Sequence, residues 1–147
     1  MDDVFSIVPE TEVEAILCTL NNFHRQIKFT CEPESNGRLP FLDVQLARTE
    51  TGAVTTSVYR KPTHTDRYLN FHSNQPMSHK ISVIDSLAYR AFIVCDSSSI
   101  QQELQYLSKV LMQNGYPRDL IKRRIVRMRE RTSNSSPPIP VPATEAI

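Results

Sequence analysis

Tryptophan is missing from this chain, glycine occurs only three times, and the three cysteines never fall into a CxxC spacing. Cys18, Cys31 and Cys95 are odd in number and far apart, which excludes a disulfide framework and a zinc-finger pattern and leaves reduced thiols. No apolar run is long enough to cross a bilayer, and the start is acidic rather than basic, so neither a membrane span nor a secretory signal is expected. An intracellular, soluble protein without a membrane partner follows. His24, His64, His72 and His79 form no i,i+4 pair of the kind that holds a metal on a helix. No serine and histidine fall into a triad pattern, so hydrolase chemistry is not indicated. No internal repeat is visible. At 147 residues the chain is one domain, or one and a fraction, and can bury a sizeable core.

What the chain has is an uneven charge. The net value is only +1, yet residues 1–50 sum to −5, residues 51–96 to +2 and residues 97–147 to +4. Such a gradient sets a basic face beside an acidic region, and a basic face suits a polyanion. The acidic half argues against a protein that simply coats DNA.

Along the chain, the apolar run at residues 4–8 predicts a short buried strand ended by Pro9. Thr11 and Glu14 have the spacing of a capping box, opening a helix with Val13, Ile16, Leu17, Leu20 and Phe23 on one side. Alternation of Ile27, Phe29 and Cys31, then of Leu42, Val44 and Leu46, then of Val54, Thr56 and Val58 predicts three strands. Turn residues at Ser35-Asn36-Gly37 and Thr51-Gly52 make an antiparallel meander of them. Residues 59–72 show no clean period and are expected to be a loop with extended pieces. From Pro76 a helical stripe of Ile81, Ile84, Ala88, Ala91, Phe92 and Cys95 begins. Asp96 and Ser97 to Ser99 break it and cap a second helix bearing Ile100, Leu104, Leu107 and Leu111. Asn114-Gly115 stops that helix, and Pro117 starts a third with Leu120, Ile121, Ile125 and Met128 on its apolar side. Residues 132–147, rich in Ser, Pro and Thr, are expected to be a disordered tail.

Two constellations could carry function. Residues 59–72 interleave cations with aromatics: Tyr59, Arg60, Lys61, Arg67, Tyr68 and Phe71. Arginine and lysine neutralise phosphates, and tyrosine or phenylalanine stacks on bases or sugars. The same pattern also suits a solvated loop whose aromatics plug a core. Residues 98–114 and 118–131 fit a helix-turn-helix. The second of these carries Arg118, Lys122, Arg123, Arg124, Arg127, Arg129 and Arg131 against Asp119 and Glu130. Arg123, Arg127 and Arg131 share a face suited to a phosphate backbone, with few amides for base readout, so non-specific binding is expected. An amphipathic hairpin with a solvated basic side would look alike.

Leu39-Pro40-Phe41-Leu42-Asp43-Val44, the block from Thr56 through Tyr59-Arg60-Lys61-Pro62-Thr63-His64-Thr65-Asp66-Arg67-Tyr68-Leu69, and Asn114-Gly115-Tyr116-Pro117 occur in an order that resembles the post-catalytic part of Penelope-like retroelement reverse transcriptases. The resemblance covers roughly residues 2–125. It implies that Asp2 and Asp3, followed at once by an apolar run, are the remnant of a catalytic Asp-Asp box, with Met1 standing where an apolar residue precedes the pair. Residues 1–58 would be a partial palm, 59–75 a connecting segment, and 76–131 a thumb also described as a helix-turn-helix.

The fold class expected is α+β: a small antiparallel sheet with one helix, then a helical thumb-like bundle and the tail. Two-metal phosphoryl transfer needs a clamp on both the attacking and the leaving oxygen, and the resemblance places a further aspartate upstream of this sequence. Asp2 and Asp3 would therefore hold magnesium only in a complete polymerase. The chain alone is expected to need no cofactor and to be catalytically inactive. The expected partner is a primer-template-like duplex, gripped by its backbone through Tyr59, Arg60, Lys61, Arg67, Tyr68, Lys122, Arg123, Arg127 and Arg131. Other readings are an incomplete gene model of an active RNA-directed DNA polymerase, a module that dimerises through uncovered apolar surface, and a decayed copy without function. Two aspartates behind a methionine are also simply what a solvated terminus looks like.

Overall fold

A computed structural model describes residues 3–134. Asp2 and the tail beyond Asn134 lie outside the described residues, and the disorder expected of that tail with them. The fold is α+β, with four helices and a three-stranded antiparallel sheet.

The first helix, α1, spans Val13–Phe23 and follows a 3-10 turn at Glu10–Glu12. That turn opens at Pro9, whose carbonyl accepts from Glu12 N–H at 3.0 Å. The chain is already turning before Thr11, so the capping box expected there does not form and α1 has no side-chain cap. The expected strand at residues 4–8 is also absent. Val4 is 76% and Ile7 67% exposed, and the run has no neighbouring strand with which to build a ladder. Only the Phe5 ring finds a partner, with its centroid 5.6 Å from that of Phe41.

Residues 27–31 correct a second expectation. They alternate but form no strand, because the side chain of Asn21 takes the backbone of Phe29. Asn21 Oδ1 accepts from Phe29 N–H at 2.7 Å, and Asn21 Nδ2 donates to the Phe29 carbonyl at 3.1 Å. The first strand, β1, is instead Arg38–Phe41. It pairs with β2, Val44–Arg48, which pairs with β3, Val54–Val58, giving the meander in a different register. Phe41 faces Val44, so Leu42 and Asp43 form the hairpin tip rather than part of a strand. Leu42 sits there at φ 54°, a left-handed conformation that a side chain normally avoids.

The outer edge of β3 is closed by the helices. The Thr56 carbonyl accepts from Asp96 N–H at 3.1 Å and from Ser99 Oγ at 2.8 Å. Asp96 sits between α2, Met77–Val94, and α3, Ile100–Gln113. Its Oδ1 accepts from the backbone N–H of Ser98 and of Ser99 at 3.0 and 2.9 Å, so Asp96 breaks the chain as expected but holds the turn before α3, whose N-cap Ser99 makes no side-chain cap bond. Those bonds, with the Ser98 hydroxyl foremost, hold its carboxyl down at about 2.

α3 ends in a Schellman turn. Tyr116 N–H donates to Leu111 O at 3.1 Å and Gly115 N–H to Met112 O at 3.0 Å, with Gly115 at φ 87°. Pro117 then leads into α4, Arg118–Asn134. Residues 132–134 are thus helical, not the beginning of the tail.

All the buried hydrophobic side chains among the described residues lie between Ile84 and Met128. One cluster joins Ile84, Leu111, Tyr116 and Ile121; a second joins Ala91, Leu104 and Leu107. Arg124 clasps Asp85 from α4 to α2, with Nε to Oδ1 at 2.8 Å. The bundle of α2, α3 and α4 therefore carries the core, and the sheet is attached to it through β3.

Candidate nucleic-acid interface

The loop at residues 59–72 is a strap laid along α3. At one end Arg60 forks onto Glu103, with Nη1 to Oε2 at 2.9 Å and a second bond from Nη2 to Oε1. Its guanidinium carbon stands 4.2 Å from the Tyr106 ring centre. Midway, Tyr106 donates its hydroxyl to the Asp66 carboxylate, which also lies 3.0 Å from His64 Nε2. At the far end Asn114 Oδ1 accepts from Tyr68 N–H at 3.0 Å and Asn114 Nδ2 donates to Asp66 O at 2.9 Å. Phe71 N–H then donates to Asn114 O at 3.0 Å. Gly115 lies under the His72 ring so closely that a Cβ would stand 3.0 Å from Cδ2. One asparagine at the end of α3 thereby ties the strap to that helix.

Two of these groups are shifted. Desolvation works to lower the Arg60 pKa, and the bonds and charge of Glu103 outweigh it, leaving the guanidinium pKa raised. The Tyr106 phenol is pushed up to about 12, first by desolvation and then by its bond to Asp66.

The sequence-derived site residues therefore part company. Arg60 is held inside the fold, its side chain 17% exposed, and is not a free phosphate contact in this structure. Tyr59 and Tyr68 are half-buried, Tyr59 N–H donating to Asp43 O at 2.8 Å. Lys61 and Arg67 are exposed on the strap. Lys122, Arg123, Arg127 and Arg131 are exposed on α4, and none has an ion-pair partner among the described residues.

Helical geometry sorts the α4 cations further. With 3.6 residues per turn and Ile121, Ile125 and Met128 facing inward, Arg123, Arg127 and Arg131 fall on one flank. Arg118, Lys122 and Arg129 fall on the other. This second rail was not singled out from the sequence, although the spacing of those residues carried it. Between the rails Lys122, Arg123, Val126, Arg127 and Glu130 line a shallow depression.

Asp3 is exposed, and among the described residues no group of three or more His, Cys, Asp or Glu side chains could hold a metal. No helix among the described residues is long and apolar enough to cross a membrane.

Residues 67–126 match the family model of the animal helix-turn-helix domain. The match takes in the far half of the strap, α2, α3 and the first half of α4, less than half of the chain. Neither a curated protein nor a solved structure matches. A helix-turn-helix is a nucleic-acid-binding motif, and the α3–turn–α4 unit with its basic flanks is consistent with that class.

Proposed function

We propose that this chain is a retroelement-derived segment of reverse-transcriptase lineage whose helical unit holds a nucleic-acid duplex by its phosphate backbone. The exposed cations of α4, without ion-pair partners among the described residues, are the observation that carries it, although Arg129 also rests over the Phe92 ring; Lys61 and Arg67 on the strap add to them. The sequence resemblance supports the lineage, as does the match of residues 67–126 to a domain often found in transposon-derived proteins. The chain by itself does not extend a primer in this reading, and magnesium belongs only to a complete polymerase. The long, flexible cations of α4 address phosphates, which carry charge but no base identity.

The test is fluorescence anisotropy with a labelled duplex across a salt series. Roughly five or six phosphate contacts give a slope of log affinity against log salt near −5. Replacing Lys122, Arg123 and Arg127 together by alanine brings the slope up by roughly 2.7. Salt-independent binding, or none at about 50 mM salt, would sink the reading.

A second reading has its own observation. Val4, Ile7, Phe23 and Ile27 are at least half exposed, and α1 has no buried residue. Such a surface suits self-association. A dimer seen by analytical ultracentrifugation, insensitive to salt and without affinity for nucleic acid, would favour it over the first.

A further inference from the structure

We infer that the acidic segment at residues 3–14 of a second copy of this chain docks along the exposed face of α4, so that the protein masks its own polyanion-binding surface when it self-associates. The masking rests on the duplex-binding reading above; the docking does not.

Charge is the first argument. Residues 1–24 hold Asp2, Asp3, Glu10, Glu12 and Glu14 and neither lysine nor arginine. Asp3, Glu10, Glu12 and Glu14 are exposed and have no ion-pair partner among the described residues. Lys122, Arg123, Arg127 and Arg131 on α4 are in the same condition. Opposite charges left unpaired on one molecule draw in those of a second copy, over about 30 Å at 0.01 M salt.

Matching shape is the second. The acids bracket an apolar run in which Val4 is 76% and Ile7 67% exposed. The cations bracket Val126, itself 56% exposed, and Lys122, Arg123 and Arg127 line a shallow depression with it. Glu130 lines the same depression, which leaves three cations there against one carboxylate. From Asp3 to Glu10 an extended backbone spans at most roughly 23–25 Å, and α4 from Arg118 to Arg131 is about 20 Å long. Residues 4–8 form neither helix nor strand, so they can lie along α4 without giving up structure. Acid, apolar, acid thus meets cation, valine, cation over comparable lengths.

Topology makes the occupant a second copy. Phe5 holds the acidic segment beside β1, its ring 5.6 Å from that of Phe41. β1 is the edge of the sheet away from the bundle, which meets the sheet through β3. Two strand spacings, about 10 Å, therefore lie between β1 and the strand on which the helices pack. α4 packs on α2 and α3. The segment and the basic face lie on different parts of one chain, and each is open to the other's counterpart on a neighbour. Such a contact is heterologous, joining two different patches.

The test is sedimentation velocity of the full chain without nucleic acid, on wild type and two triple variants. Glu10→Lys with Glu12→Lys and Glu14→Lys reverses the segment, and Lys122→Glu with Arg123→Glu and Arg127→Glu reverses α4. All six positions are exposed, and unchanged melting curves show that the variants fold. Wild type is expected to self-associate at about 20 mM salt and to do so at least about tenfold more weakly at about 300 mM. Each variant alone is expected to be monomeric. Their equimolar mixture is expected to associate again, because the reversed segment of one meets the reversed α4 of the other. A wild-type monomer at low salt overturns the inference, as does association that survives high salt or either variant, or a mixture that stays monomeric. A DNA duplex added at low salt is expected to disperse the wild-type assembly, and a duplex that binds without dispersing it overturns the masking. The segment-reversed variant keeps α4 intact and free; its failure to bind the duplex overturns the duplex-binding reading and leaves the docking standing.

Discussion

Replacing Arg60 with alanine distinguishes a structural arginine from a nucleic-acid contact, because the two roles predict opposite pairs of results. Arg60 and Glu103 are separated by 43 residues and retain only 17% and 10% side-chain exposure. Removing one partner of a fully buried pair costs about 3–5 kcal/mol, whereas an exposed pair contributes about 0–1. With a small part of each side chain still wet, about 2–3 kcal/mol is reasonable here. Loss of the stacking on Tyr106 adds about 0.5–1 kcal/mol. For a domain of this size roughly 3 kcal/mol lowers the melting temperature by about 10 °C. Circular dichroism would record that shift. Anisotropy, measured where the variant is still folded, would then show an unchanged salt slope. Arg127→Ala should do the reverse, melting within about 0.5 kcal/mol of wild type while its slope rises by about 0.9. Glu103→Gln should be destabilised like Arg60→Ala, and the double variant should show a coupling of about 2 kcal/mol. If Arg60→Ala melts with wild type and changes the slope by about 0.9, Arg60 leaves Glu103 for a phosphate and the internal assignment is wrong.

Other expectations concern the joints of the bundle. Gly115→Ala places a Cβ against the His72 ring at a left-handed φ and should cost about 1–2 kcal/mol or more. Adding His72→Ala should restore only the part due to the clash, and full restoration in a thermal melt would refute the backbone argument. Asp96→Ala removes the carboxylate that accepts from the backbone N–H groups of Ser98, Ser99 and Thr56, for about 1–2 kcal/mol. Because the Asp96 carboxyl is held at about 2, below its unfolded value, its contribution is present above about pH 4 and fades as pH falls toward 2. The gap between wild type and Asp96→Asn in urea melts should shrink over that window, and a gap constant with pH would show that the carboxylate charge is not what stabilises.

The helices were legible in the sequence because their signals are local. The Ile84, Ala88, Ala91 stripe, the Leu104, Leu107, Leu111 stripe, the Asp96 break and the Asn114-Gly115 stop each lie within a few residues. Each reappears as a buried line or a hydrogen bond at a turn. The N-terminal half was less legible. Alternation at residues 27–31 and the apolar run at 4–8 are permissive for a strand, but a strand exists only where a neighbour supplies hydrogen bonds. Asn21 takes the backbone of Phe29 instead, and no strand among the described residues flanks residues 4–8.

The composition of the candidate interface was written in the sequence, and its arrangement was not. Seven cations within residues 118–131 fix the sign of that surface, since charge is a property of residues and survives any fold. Which of those cations are free to meet a phosphate depends on contacts between residues far apart in the chain. Asp85, 39 residues away, takes Arg124, and Glu103 takes Arg60. An ion pair forms between groups brought within a few ångströms, and only tertiary packing decides which ones those are.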